Sequence, residues 1–140
     1  MNLQQVFSVI FSLFSLSIIA QQADDITGLW KTSEKKSHIE IYRKGKQYFG
    51  KISWLKEPND QESGKPVTGK NGDPILNMEI LEGFVFDEDE WEDGTVYDPE
   101  SGKTYYCSME ITEDGRLKIR GSLDPMGWVG RTDIWTRVEK

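Results

Sequence analysis

The chain has 140 residues and carries 17 Lys+Arg against 24 Asp+Glu, a formal net charge of −7. That length suits one domain of roughly 100–150 residues, and the acidic balance argues against a nucleic-acid binder, which needs a clustered basic face. Five Trp, five Tyr and thirteen Gly argue against disorder and for a β-rich fold with many tight turns.

Val6 to Ala20 reads VFSVIFSLFSLSIIA, an apolar run with no charged side chain. At about 15 residues it is shorter than the roughly 20 that a spanning helix needs, and polar residues follow it at once. Residues 1–20 therefore read as a secretory signal peptide, with cleavage after Ala20 or after Ala23. The remaining chain, 24–140 in its shortest form, is expected to be one exported domain, periplasmic or secreted, with no stable membrane anchor after cleavage. The single Cys107 has no partner for an intramolecular disulfide, so packing alone must hold the fold.

After the leader, apolar and polar residues alternate in short runs, the signature of half-buried strands. In chain order these are Gly28–Ser33, His38–Tyr42 and Tyr48–Leu55, the last with Tyr48, Ile52 and Trp54 at one parity. Residues 56–77 are rich in Pro, Gly, Asn and Asp and read as a long excursion, with one turn of helix expected over Glu79–Leu81. Gly83–Phe86 and Thr95–Asp98 flank an acidic loop, DEDEWED, with six carboxylates in residues 87–93. Lys103–Thr112, Arg116–Ser122 and Gly130–Val138 complete the set.

The connections suit hairpins. Asp98-Pro99-Glu100-Ser101-Gly102 fits a type I turn, and Asp114-Gly115 is a strong hairpin signal. About eight antiparallel strands without crossover helices predict an all-β, up-and-down β-barrel, whose closure removes exposed sheet edges.

Three spaced segments carry a family likeness. They are I-x-I-Y-x-x-G-x-x-Y-x-G-K-I-x-W-L from Ile39 to Leu55, Y-D-P-x-x-G-K-T-Y from Tyr97 to Tyr105, and G-R-T-x-x-W-x-R-V from Gly130 to Val138. Together they resemble the DUF2147 family of small exported bacterial proteins. The resemblance implies a calycin-like barrel and brings no catalytic residue, substrate or cofactor. Gly28-Leu29-Trp30 likewise resembles the first-strand G-x-W of lipocalin-like barrels. That likeness implies a structural indole at the closed end, covered by a cation from the last strand, either Arg131 or Arg137.

Candidate chemistry is sparse. His38 is the lone histidine, and its parity opposes Ile39 and Ile41, so it reads as a surface residue rather than a zinc ligand or catalytic base. No metal ligand, catalytic residue or cofactor is expected. The acidic loop reads as solvated, without EF-hand spacing for Ca²⁺. Arg131, Asp133, Trp135 and Arg137 share one parity on the last strand, which either lines a polar cavity or faces water.

The leading expectation is binding of a small apolar or amphipathic ligand, without catalysis, by Tyr48, Trp54, Tyr97, Lys103, Tyr105, Arg131 and Trp135. Gly28, Trp30 and Arg137 are expected to be structural. Two other readings stand beside it: an enzyme acting on an envelope component through acidic residues or Lys103, and a protein-interaction module using the 56–77 excursion.

Overall fold

The computed structural model describes residues 21–139. The apolar segment 1–20, and with it the signal-peptide reading, lies outside the described residues. A single 3₁₀ turn, Ala23–Ile26, precedes eight strands. These are β1 (Gly28–Lys31), β2 (Ser37–Lys44), β3 (Gln47–Leu55), β4 (Glu79–Asp87), β5 (Glu90–Asp98), β6 (Lys103–Ile111), β7 (Leu117–Ser122) and β8 (Gly130–Arg137). Each pairs antiparallel with the next, and β8 returns to β1 through Trp30↔Arg137 and Lys31↔Thr136, closing the barrel. The up-and-down barrel expected from the alternation is the observed architecture.

Two local expectations are corrected. Glu79–Leu81 is the start of β4 and not a helical turn, because Leu81 pairs with Gly50 of β3 on one side and Val96 of β5 on the other. The acidic stretch is mostly strand rather than loop. Only Glu88 and Asp89 turn the chain, with Glu88 at φ 58°, and Asp87 pairs with Glu90 across them. Strand alternation then sends successive carboxylates to opposite faces.

The barrel fills from one end. Trp30, Ile39, Ile41, Leu81, Phe84, Trp91, Met109 and Leu117 are fully or almost fully buried inside it. Packing is close enough to exclude a methyl group at Gly94, where an added Cβ would lie 2.5 Å from the Phe84 ring.

The N-terminal turn caps this end. Ile26 is fully buried there, and its carbonyl accepts a hydrogen bond from Trp30 Nε1 at 2.8 Å. Ala23 O accepts one from Trp91 Nε1 at 3.0 Å, and the Tyr48 hydroxyl donates to Asp24 at 2.6 Å. Burial, followed by the bond to Asp24, pushes the Tyr48 hydroxyl up to about 12. Each bond satisfies a polar atom of an otherwise apolar end, as buried groups require.

Connections alternate between the two ends. The β2–β3, β4–β5 and β6–β7 turns lie with the capped end. At the other end lie the β1–β2 turn, the 56–78 excursion, the β5–β6 hairpin and the β7–β8 loop. The excursion contains two isolated bridges, Asn59↔Pro66 and Thr68↔Pro74, and is tied to the β5–β6 turn by Lys70 N donating to Pro99 O at 2.8 Å.

Candidate functional site: a cavity at the open end

Above the packed half, the barrel interior opens into a cavity of about 630 Å³. Its position follows from register. Val96 pairs with Tyr105 across β5 and β6, and Ile119 pairs with Asp133 across β7 and β8; paired residues share a face, and all four line the cavity. Trp135, which pairs with Leu117 of the packed core, is nearly buried and helps form the floor. The shared face of β8 thus points inward, with Arg131 at the rim, then Asp133 and Trp135, while Arg137 lies beyond them at the capped end.

Gly121 provides much of the space. A Cβ there would meet Val96 Cγ1 at 3.5 Å and Tyr105 Cβ at 3.8 Å, which is ordinary contact. The position accepts a side chain, and any side chain placed there projects toward the cavity walls.

The polar lining consists of Asp98, Ser122, Arg131, Thr132 and Asp133. One carboxylate oxygen of Asp133 accepts hydrogen bonds from Trp135 Nε1 at 2.9 Å and from Ser33 Oγ at 3.0 Å. The first fixes the indole, and the second ties β8 to the residues just after β1. Arg131 is exposed, and among the described residues no carboxylate forms an ion pair with it. The cavity thus joins apolar walls to an exposed cation, Arg131, and to the carboxylates of Asp98 and Asp133.

The structure distributes the seven sequence candidates unevenly. Tyr105, Arg131 and Trp135 line this cavity together. Tyr97 points the other way, into a separate groove of about 540 Å³ under the excursion, beside Leu76, Glu82, Thr95 and Thr104. Tyr48 faces inward but belongs to the capped end. Lys103 is exposed on the β5–β6 hairpin, opposite Asp98 in register.

Trp54 departs from its expected face because of a bulge. The β2–β3 register runs His38↔Trp54 and then Ile39↔Ile52, so Ser53 is an extra residue on β3. An extra residue of this kind reverses the face of the strand beyond it. Trp54 therefore leaves the face of Tyr48 and Ile52, is 42% exposed, and stacks on His38 with ring centroids 4.4 Å apart. Burial beside this indole, then the nearby charge of Lys31, lowers the His38 pKa.

Alternation alone does not mark Val96, Ile119, Gly121 and Asp133 as ligand residues. The signal available is the parity of Ile119 with Gly121, which places a glycine on the inner face of a strand. Among the described residues, no three His, Cys, Asp or Glu side chains gather as a metal site.

The profile of DUF2147, described as an uncharacterized protein conserved in bacteria, matches residues 28–137. The chain belongs to this family. Its matched span runs from the glycine before Trp30 to the arginine above it, so the family unit is the closed barrel itself. No curated protein sequence matches the chain. Among solved structures it is similar to HP1028 of Helicobacter pylori, described as belonging to the lipocalin family, with 18% identity and a TM-score of 0.65. The alignment covers 82% of this chain and 84% of that one. At that identity the likeness shows a shared lipocalin-like barrel.

Proposed function

We propose that this DUF2147 protein is an exported, non-enzymatic carrier or sensor that holds one small amphipathic molecule in the open half of its barrel. The observation that carries this reading is the cavity of about 630 Å³, within the roughly 300–1,000 Å³ usual for small-molecule sites. Its apolar walls, Val96, Tyr105, Ile119 and Trp135, suit a hydrocarbon or aromatic body, and Arg131 suits an anionic or strongly polar end group. Export rests on the uncharged apolar segment Val6–Ala20.

The carboxylate-rich β4–β5 hairpin over Asp87–Asp93 stands at the capped end, away from the cavity. The pocket that Glu90 lines with Glu110, Lys118 and Arg120 is only about 150 Å³, below the roughly 300 Å³ of usual small-molecule sites, and fold alone supplies no reaction.

The test is titration with anilinonaphthalenesulfonate, an anionic apolar fluorophore, into wild type, Gly121→Leu and Arg131→Gln. Saturable enhancement with one site per chain, lost in Gly121→Leu and weakened in Arg131→Gln, supports the reading. Equal enhancement in all three proteins contradicts it.

A further inference from the structure

The β7–β8 loop carries a concentrated apolar surface. Leu123, Met126, Trp128 and Val129 are 68%, 77%, 81% and 60% exposed, four apolar side chains within one seven-residue connection. Contiguous exposure of this kind marks a contact surface. Leu123 and Val129 also line the cavity, so the tip and the mouth are one structure.

The loop is held rigid from within. The Asp124 carboxylate accepts hydrogen bonds from Val129 N at 2.7 Å and Trp128 N at 3.0 Å, and these amides hold its carboxyl below the usual range. Leu123 N donates to Val129 O at 2.8 Å and Gly127 N to Asp124 O at 3.2 Å. Arg120 Nε donates to Gly127 O at 2.8 Å, and the Ser122 hydroxyl to Asp124 O at 2.7 Å. The loop's only charge is thus turned onto its own backbone. The main-chain amides of Leu123, Gly127, Trp128 and Val129 are thereby paired, which lowers the cost of carrying them into an apolar phase.

We infer that this loop docks the barrel on a lipid bilayer, with Trp128 and Met126 entering the headgroup region and the cavity mouth set against the membrane. Charge placement favours lipid over a protein groove. In a chain of net charge −7, two cations flank the tip: Arg131 on β8, exposed at the rim, and Arg120 on β7, whose Nη2 is left for a lipid phosphate while Nε and Nη1 bond Gly127 O and Thr132 Oγ1. The neighbouring β5–β6 hairpin adds Asp98, Glu100 and Lys103, of which Asp98 and Lys103 face each other in register. Trp favours this interfacial depth, and a preordered convex tip loses little conformational entropy on insertion. The inference goes beyond the ligand reading and does not need it: docking is measured with no ligand added.

The test uses the full chain labelled with the fluorophore NBD at Met126→Cys or, as a control at the capped end, at Glu113→Cys. The native Cys107 is buried, and thiol labelling is thereby confined to the introduced site. Vesicles of phosphatidylethanolamine and phosphatidylglycerol are then added. The expected result is NBD enhancement and quenching by brominated lipid at position 126, with position 113 remaining in water. Trp128→Ser should weaken the position-126 response about tenfold, equal to about 1.4 kcal/mol, while leaving anilinonaphthalenesulfonate binding unchanged. A position-126 label that stays accessible to aqueous iodide overturns the inference. So does a wild-type dimer that Trp128→Ser converts to monomer, which would make the tip a contact between copies of this chain.

Discussion

The guanidinium of Arg137 lies over the indole of Trp30, 3.9 Å from the ring centroid. The same guanidinium donates to Thr27 O at 2.8 Å and Asp25 O at 2.7 Å. One side chain from the last strand thereby fastens the first strand, the N-terminal cap and one of the two fully buried tryptophans. Gly28 is part of the same arrangement. Its φ of +118° is one that L side chains rarely adopt, and an added Cβ would lie 3.1 Å from an Arg137 nitrogen.

Trp30→Ala should therefore destabilise the domain by about 3–5 kcal/mol, the range for a buried large aromatic. Arg137→Ala should cost less, since a cation–π contact contributes roughly 0.5–2 kcal/mol. Arg137→Lys should not recover the loss, because an ammonium cannot stack and bridge two carbonyls as the planar fork does. Urea denaturation midpoints measure all three. A Trp30→Ala midpoint equal to wild type would show that the closed end is held by something else.

The cap bears on where a chain cleaved of its leader would begin. Trp91 is fully buried, and its indole nitrogen donates to Ala23 O. Cleavage after Ala23 would remove that acceptor and leave a buried donor unpaired, at a cost of about 1–3 kcal/mol. Cleavage after Ala20 preserves it. N-terminal sequencing of the exported protein is expected to read Gln21; a start at Asp24 would refute this, and Met1 retained on a membrane-bound product would refute export.

Cys107 gives a pH-dependent check on the barrel interior. Burial pushes its thiol from an ordinary 9.0 up to about 12. In the folded chain the thiol keeps its proton where the unfolded chain would lose it. The stability this contributes is fully present below about pH 9 and is lost as pH rises through about 12. The stability difference between wild type and Cys107→Ala should shrink over that interval, and a thiol reagent at pH 8 should label the protein only in denaturant. Rapid labelling of the native protein would mean that the interior is open at Cys107.

Sequence patterning reaches the barrel because closure is repetitive: each strand shows the same alternation, and Asp114-Gly115 or the 98–102 turn fixes where it reverses. Glu79–Leu81 escapes the pattern because a bulge around Gly83, at φ 76°, interrupts the alternation of β4, so Leu81 and Phe84 both face inward. Trp54 escapes it for the same reason, through the extra residue Ser53. At the site, the face of Arg131, Asp133 and Trp135 is visible as a set, but its direction is not. Period-2 order states which residues agree and leaves open which side is inside. The cap role of Ala23 is hidden because a backbone carbonyl has no sequence signature, and the β7–β8 tip because Asp124 pins a loop without any strand periodicity.

Native mass spectrometry of the protein purified from its own cells tests the central claim most directly, because a molecule held in the cavity adds its mass to the chain. The wild-type protein should carry one discrete adduct, released in denaturing solvent. Gly121→Leu, folded by its melting transition but with the cavity filled, should carry none. A wild-type mass equal to that of the bare chain, or an adduct that persists unchanged in Gly121→Leu, would contradict ligand binding in the barrel.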